Sequence, residues 1–304
     1  MVTALPDRAI ALGAIALVAA GAALLLLAPS RGAVGAAVGS DLFARLSNAG
    51  AGSLTVDLPP PAAQRIYGAL SARGRPIVLL DPGHGGRDSG ARSPVGDAQE
   101  KDLALALARE LRDLLVKRGR VRVAMTREED IYLTLDQRAA IARRLSAGLF
   151  VSLHMDSAPN PLARGASVYS LSDVASDSEA ARFAMAENRS AAGARAAGDP
   201  VEALLSDLAM RTQMSASADL AQRMVAKSTG RVGLRPQPHR FAAFHVLRRS
   251  DTPAVLFEAG YLSNSQDELL LRSPAYRSAL AEALARAIEA DVGARAAHAA
   301  HAAR

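Results

Sequence analysis

From residue 76 onward, short apolar runs alternate with longer amphipathic stretches, and this alternation restricts the fold more than any other feature. Each run ends near a glycine, a proline or a polar residue, which is typical of a buried strand. The runs are PIVLLD (76–81), VRVAMT (121–126), LFVSLH (149–154), GASVYSL (165–171) and PAVLFEAG (253–260). Strand–helix–strand alternation predicts one α/β domain with a twisted, mostly parallel sheet flanked by helices.

The stretches between the runs have helical periodicity. Four leucines recur at helical spacing within residues 100–119, and Gly119 can end that helix. Further helices are predicted at 133–147, from about 177 to 228, and at 273–292. These elements place the catalytic domain at residues 76–292.

Residues 1–30 have the character of a targeting segment. An uncharged apolar run at 9–28 follows Arg8 and ends at Pro29, and its length suits a bilayer span. The run is long for a signal-peptide core, and no clear cleavage motif follows it. A cleaved signal peptide and an N-terminal membrane anchor both remain open. In either case we expect an exported protein of the periplasm or cell envelope, held at the inner membrane if the segment is retained.

Two further segments lack a core-forming pattern. Residues 31–75 are rich in Gly, Ala, Ser and Pro, with PPP at 59–61, and predict a linker. The tail at 293–304 has no apolar face, so we expect it to be disordered. His298 and His301 lie in this tail, and we therefore do not predict a metal site there.

Charge and cysteine content exclude several classes of function. The net charge is +6, but the basic residues are spread along the chain and form no basic arm interleaved with aromatic residues. Nucleic acid is therefore not an expected partner. The chain contains no cysteine, which excludes disulfides and thiolate metal sites.

Three predicted strands end near residues that can carry chemistry. His84 follows the first run within DPGHGG (81–86), His154 closes the third run, and Glu258 lies in the last. Glu100 is the first residue of the first predicted helix. Because the carboxyl ends of parallel strands meet at one edge of a sheet, we expect these side chains to lie near one another.

Two histidines and a glutamate with an open fourth position form a common catalytic zinc site. We hypothesise that His84, Glu100 and His154 bind Zn²⁺, which activates water and polarises a carbonyl. Glu258 would then serve as the proton-accepting base. Each residue alone also has a structural explanation: a histidine in the core, a salt-bridged carboxylate, or, for Glu100, a favourable charge at a helix start. Spacing alone leaves both interpretations open.

Six motifs, in order, resemble the catalytic domain of zinc-dependent N-acetylmuramoyl-L-alanine amidases, bacterial enzymes that cleave peptidoglycan. They are LLDPGHGGRDSGA, EKDLALALA, MTREED with LDQRAAIA, LFVSLHMDSA, GASVYSLS and TPAVLFEAGYLSN, within about residues 76–290. The resemblance implies hydrolysis of the amide between the lactyl group of N-acetylmuramic acid and the first L-alanine of the stem peptide. It also implies His84, Glu100 and His154 as zinc ligands and Glu258 as the catalytic glutamate.

Residues 171–232 are similar to the regulatory insertion of division-associated amidases, in which a helix covers the zinc until an activator protein displaces it. Asp156 in HMDS is also typical of that subgroup. The resemblance predicts an autoinhibitory helix at 177–190. Glu179 is the preferred candidate for a fourth metal ligand, and Glu187 is the second choice.

Other residues and functions also have to be weighed. Arg143 and Gly148 stand where the amidase family usually has Asn and Asp. Because neither position is a metal ligand in that family, these departures affect local packing more than catalysis. For His239 and His245, a core or interface role is expected. The alternative functions are a zinc peptidase acting on stem peptides and a catalytically inactive peptidoglycan-binding regulator.

Overall fold

The computed structural model describes residues 64–68, 70–190 and 200–302. The predicted targeting segment at 1–30 and most of the predicted linker lie outside these residues. Six strands form one sheet within the described part: β1 (Ile77–Pro82), β2 (Arg122–Met125), β3 (Leu149–Asp156), β4 (Ala166–Leu171), β5 (Leu234–Ala242) and β6 (Ala254–Tyr261).

Helices separate most of these strands. They are α1 (Glu100–Arg118), α2 (Leu135–Arg144), α3 (Ser178–Glu187), α4 (Pro200–Ser228), α5 (His245–Arg248), α6 (Ser265–Arg272) and α7 (Pro274–Ala302). Gly119 ends α1 in a left-handed conformation with φ of 65°. Thr134 and Gln137 form a reciprocal capping box at the start of α2. Local sequence signals therefore set both of these helix ends.

The strand order is β2-β1-β3-β6-β4-β5. Strands β2, β1, β3 and β6 are parallel, β4 is antiparallel to β6, and β5 is parallel to β4. Apolar clusters cover both faces: α1, α4 and α7 pack on one face, and α2, α3 and α5 pack on the other. The prediction of a single α/β domain with a mostly parallel sheet is confirmed.

Strand β5 was not predicted from the sequence. Its segment, LRPQPHRFA, contains Pro236 and Pro238 and has no apolar run. Proline cannot donate to a sheet ladder and is tolerated mainly in edge strands. Strand β5 lies at the sheet edge beside β4, where this sequence is compatible with pairing.

The predicted disordered tail is wrong for residues 293–302, because α7 continues to Ala302. Alanine and arginine have high helix propensity, so a segment without an apolar face can extend a helix that is already anchored. Leu284 and Ile288 anchor α7 in the core. Arg295 pairs with Asp291 and donates to the carbonyl of Gly148. His298 and His301 lie exposed near the helix end.

The domain also begins earlier than predicted. Tyr67, assigned to the linker, exchanges backbone hydrogen bonds of 2.7 and 2.9 Å with Val123 of β2. The described end of that segment thus belongs to the folded unit. Within the described residues, no helix combines the length and apolar character that a membrane crossing requires.

Candidate metal and catalytic site

The structure brings the three predicted ligand residues to one point at the carboxyl end of the sheet. His84 follows β1, Glu100 begins α1, and His154 lies in β3. One ligand atom from each residue falls within 4.8 Å of the others. The distance from Glu100 Oε2 to His84 Nε2 is 3.0 Å, and that from Glu100 Oε1 to His154 Nδ1 is 2.9 Å.

Two buried arginines fix the turn that carries His84. Arg138 donates to the carbonyls of Pro82 and His84 at 2.8 and 2.6 Å. Arg127 donates to those of Pro82 and Gly83 at 3.0 and 2.8 Å. Burial, followed by the charge of Arg138, lowers the pKa of Arg127 to about 10. The His84 backbone is held in the left-handed region, with φ of 56°.

Glycines near the site make room for the ligands. A Cβ on Gly83 would lie 2.4 Å from the imidazole of His154, and one on Gly90 would lie 2.3 Å from Glu100 Oε2. Gly90 also has a positive φ of 62°. These close approaches explain why glycine stands at positions 83 and 90, where any side chain would enter the ligand cluster.

Each imidazole is also held by its other nitrogen. His84 Nδ1 lies 3.0 Å from Asp88 Oδ2, and His154 Nε2 lies 3.1 Å from Ser152 Oγ. Ser152 Oγ in turn donates to the buried carboxylate of Asp81 at 2.8 Å. Hydrogen bonds of this kind fix the orientation and tautomer of metal-binding histidines.

The charges at the site favour a bound cation. Burial lowers the pKa of His84, but the carboxylates of Glu100 and Asp88 outweigh it and raise that pKa to about 11. The two histidines lower the pKa of Glu100 despite its burial. His84 Nε2 is buried and is not aligned for a hydrogen bond, although Glu100 is close. The imidazole nitrogens of His84 and His154 together with the Glu100 carboxylate form a ligand set that fits a zinc ion.

Glu258 lies beside the cluster because β6 pairs with β3, and its Cα is in register with that of His154. Its side chain is fully buried, and both oxygens lack a hydrogen-bond partner among the described residues. Burial, then the nearby carboxylates of Asp156, Glu100 and Glu187, raise its pKa well above the ordinary value. Such a carboxylate is suited to proton transfer near neutral pH.

Sequence reasoning missed several supporting residues. Ser167 of β4 is in register with Glu258, and its buried hydroxyl has no partner among the described residues. Asp81, Ser152 and Arg138 form the buried network behind His154 and His84. Serines and arginines in apolar runs or helices give no local signal, since their role depends on the strand that lies next to them.

The preferred candidate for a fourth ligand, Glu179, does not lie at the histidine cluster in this structure. Both Glu179 oxygens accept hydrogen bonds from Arg235, at 3.1 and 3.0 Å. Instead, Oε2 of Glu187, at the end of α3, lies 3.8 Å from His84 Nε2 and 3.7 Å from His154 Nδ1. Because α3 starts at Ser178, Glu179 lies in its first turn and Glu187 two turns further along, at the end nearer the cluster.

Two further histidines, and the two residues that depart from the family pattern, contact parts of the fold outside the metal cluster. His239 Nε2 lies 2.9 Å from Ser170 Oγ, and burial lowers its pKa. His245 Nε2 lies 3.2 Å from Asp136. Arg143 donates to the carbonyl of Arg249. At Gly148, a Cβ would lie 2.8 Å from the Cβ of Pro76.

We predict that Ser152→Ala weakens metal binding about 10- to 100-fold, the range typical of lost outer hydrogen bonds to metal ligands. The change removes the partner of His154 Nε2, so that the imidazole loses its fixed tautomer. Competition with a chromophoric chelator measures the affinity. Thr126→Val is the matched control, because Thr126 donates to the same Asp81 carboxylate at 2.6 Å but does not contact His154. Equal affinities in the two variants would contradict the prediction.

Comparison with known proteins agrees with this geometry. The family profile described as N-acetylmuramoyl-L-alanine amidase matches residues 78–290. The N-acetylmuramoyl-L-alanine amidase AmiC of Escherichia coli O6:H1 is 35% identical over 258 residues, covering 82% of this chain and 60% of that protein. AmiC of Neisseria meningitidis serogroup B is 37% identical over 220 residues, covering 71% of this chain and 52% of that protein.

A solved structure shows the same fold. The N-acetylmuramoyl-L-alanine amidase from Clostridium difficile 630 superimposes with a TM-score of 0.55 at 26% identity, over 70% of this chain and 95% of that one. This chain spans 60% and 52% of the lengths of the two AmiC relatives. Since the family profile covers most of the sheet and its helices, the chain belongs to the N-acetylmuramoyl-L-alanine amidase family.

Proposed function

We propose that this protein hydrolyses the amide between N-acetylmuramic acid and L-alanine in peptidoglycan, with zinc as cofactor. The observation that supports this most directly is the cluster of His84, Glu100 and His154 beside the unpaired carboxylate of Glu258. Membership of the amidase family supports the substrate class. A stem-peptide peptidase and an inactive binding protein are less well supported, since the complete site lies within an amidase match.

His84, Glu100 and His154 would hold the metal, which supplies Lewis acidity toward the scissile carbonyl and toward water. Glu258 accepts a proton from the attacking water at its buried carboxylate. It then donates that proton to the alanine nitrogen as the amide bond breaks. Ser152 and Asp88 keep the imidazoles oriented during both steps.

The position of α3 supports an autoinhibitory role. A cavity of about 250 Å³ at the site is lined by His84 and His154 and also by Ala186 and Glu187 at the end of α3 and by Arg189 just after it. The end of α3 therefore occupies the space through which a substrate would approach the cluster. An activator protein that displaces α3 would open the site, as expected for a division-associated amidase acting in daughter-cell separation.

The substrate also suggests the location. Peptidoglycan lies in the cell envelope, and the apolar segment at 9–28 offers a route of export or a membrane anchor. We therefore place the enzyme in the periplasm or at the outer face of the inner membrane.

Digestion of purified sacculi tests the proposed function. An amidase releases intact stem peptides from the glycan strands, whereas a peptidase shortens the peptides. We expect intact peptides, with release abolished by a chelator and restored by Zn²⁺. Shortened peptides, or release that is insensitive to chelation, would contradict the proposal. No release even from the Glu187→Gln variant would favour a binding protein.

We predict that Glu187→Gln raises the basal rate of sacculus hydrolysis several-fold. The amide is a weaker metal ligand than a carboxylate, so α3 should leave the site more readily. Dye release from labelled sacculi measures the rate. Met185→Gln is the matched control, because Met185 lies on the same helix with 71% of its surface exposed. A rate that is unchanged or lower in Glu187→Gln would argue against inhibition by this carboxylate.

A further inference from the structure

Two arginines of β5 face the first turn of α3. Both terminal nitrogens of Arg235 donate to Glu179, one to each oxygen. Arg240 donates through Nε to Asp177 Oδ2 at 3.1 Å and through Nη2 to Asp177 Oδ1, and its Nη1 lies 3.3 Å from Glu179 Oε2. Arg240 is only 4% exposed. Planar guanidinium groups in this arrangement match carboxylates particularly well.

The arginine pair adjoins the catalytic edge of the sheet. Arg235 donates to the hydroxyl of Tyr261, three residues after Glu258 on β6. Arg240 donates at 3.2 Å to the hydroxyl of Tyr169, on β4. Tyr169 is two residues from Ser167, which is in register with Glu258. Because two residues along a strand span about 7 Å, Tyr169 lies about that far along β4 from the residue opposite Glu258.

The counter-ions of both arginines lie on the segment that the proposed activation displaces. Within the described part of the chain, the carboxylates paired with Arg235 and Arg240 are those of Asp177 and Glu179. When α3 leaves, these guanidinium groups would remain next to the sheet without an anion. A guanidinium group without a counter-ion is less favourable than a paired one, so an open site favours a replacement carboxylate.

Space for such a group lies next to Glu179. One cavity of about 380 Å³ is lined by Arg235, Glu179, Arg182 and the 158–163 loop. Another of about 180 Å³ lies between Glu179 and Asp156. The carboxylate of Asp156 is also among the groups that raise the pKa of Glu258. Arg235 therefore borders open space, whereas Arg240 lines neither cavity and lies buried beside Glu179.

We propose that Arg235 and Arg240 form a subsite for a carboxylate of the peptidoglycan stem peptide, and that Asp177 and Glu179 occupy this subsite when α3 is in place. The inference rests on the proposed amidase function. The stem peptide carries a free α-carboxylate on its second residue, about two extended residues, or 7 Å, from the scissile amide. The subsite thus selects the peptide and also holds the inhibitory helix.

Binding of two muramyl peptides tests the subsite. The peptides are identical except that the second residue carries a free α-carboxylate in one and a carboxamide in the other. Calorimetry is done on the zinc-loaded protein that carries both Glu187→Gln, which frees α3 from the site, and Glu258→Gln, which prevents turnover during the titration. We expect the carboxylate peptide to bind at least about 10-fold more tightly than the carboxamide peptide, and Arg235→Gln in this background to reduce the ratio to near one.

Two further variants separate recognition from helix anchoring. Asp177→Asn with Glu179→Gln should strengthen binding of the carboxylate peptide more than that of the carboxamide peptide, because a competing carboxylate is removed. Arg235→Lys should give an intermediate ratio of the two peptide affinities, because lysine keeps the positive charge but lacks the paired donors of the planar guanidinium group. An equal affinity for both peptides, or a ratio that Arg235→Gln leaves unchanged, would overturn the subsite. Cleavage of sacculi by the unmodified protein would still support the amidase function in that case.

Discussion

Replacing Glu258 with glutamine is expected to lower the rate of sacculus hydrolysis about 10²- to 10⁴-fold while leaving metal binding intact. Glutamine keeps the size of the side chain but cannot accept and return a proton. Both carboxylate oxygens of Glu258 lack a hydrogen-bond partner among the described residues, so the substitution breaks no ion pair there. Metal content measured beside the hydrolysis rate distinguishes a lost base from a lost metal.

Glu289→Gln provides the matched control for this prediction. Glu289 is also a largely buried glutamate, but it pairs with Arg118 at the far end of α1. A rise of 1.5 Å per residue places Arg118 about 27 Å from Glu100. We expect this variant to hydrolyse sacculi normally. Hydrolysis by Glu258→Gln at the rate of the Glu289→Gln control would mean that another group carries the proton.

Replacing His84 with asparagine is expected to weaken zinc binding by more than about 100-fold, beyond the effect of a lost outer hydrogen bond. One of the three ligands is removed, and activity should fall in parallel. Asparagine is preferable to alanine because it tolerates the left-handed backbone at this position, where φ is 56°. Equilibrium dialysis followed by metal analysis measures the loss.

His239→Asn is the corresponding control for a histidine on the edge strand. We expect it to retain metal, because His239 contacts Ser170 rather than the cluster. If His84→Asn retained zinc as well as this control, the metal would have to bind elsewhere. A thermal unfolding curve for both variants checks that neither result reflects loss of the fold.

Sequence patterns located most of the elements that position the site. Uninterrupted apolar runs predicted the central strands β1, β3 and β6, because strands buried on both faces lack polar alternation. Strand β5 could not be found in this way, since an edge strand tolerates two prolines and exposed polar residues. The helical tail was also missed, because helix continuation depends on anchoring earlier in α7.

The order of the two glutamates on α3 shows the limit of sequence reasoning at the site. Glu179 and Glu187 both lie on one predicted helix, and sequence reasoning preferred Glu179, although it is Glu187 that lies near the histidines. The choice depends on Arg235 and Arg240, which bind the first turn of α3 and direct its other end toward His84. These arginines belong to β5, the strand that sequence analysis did not detect.

The sequence by itself determined the α/β architecture and the residue types gathered at the carboxyl edge of the sheet, since both follow from local apolar patterns and strand ends. Only the tertiary structure decided the register of His154 with Glu258, the network from Asp81 through Ser152, and the approach of Glu187. Each of these depends on which strand or helix lies next to another. Neighbours of this kind are distant in the chain, and no local pattern specifies them.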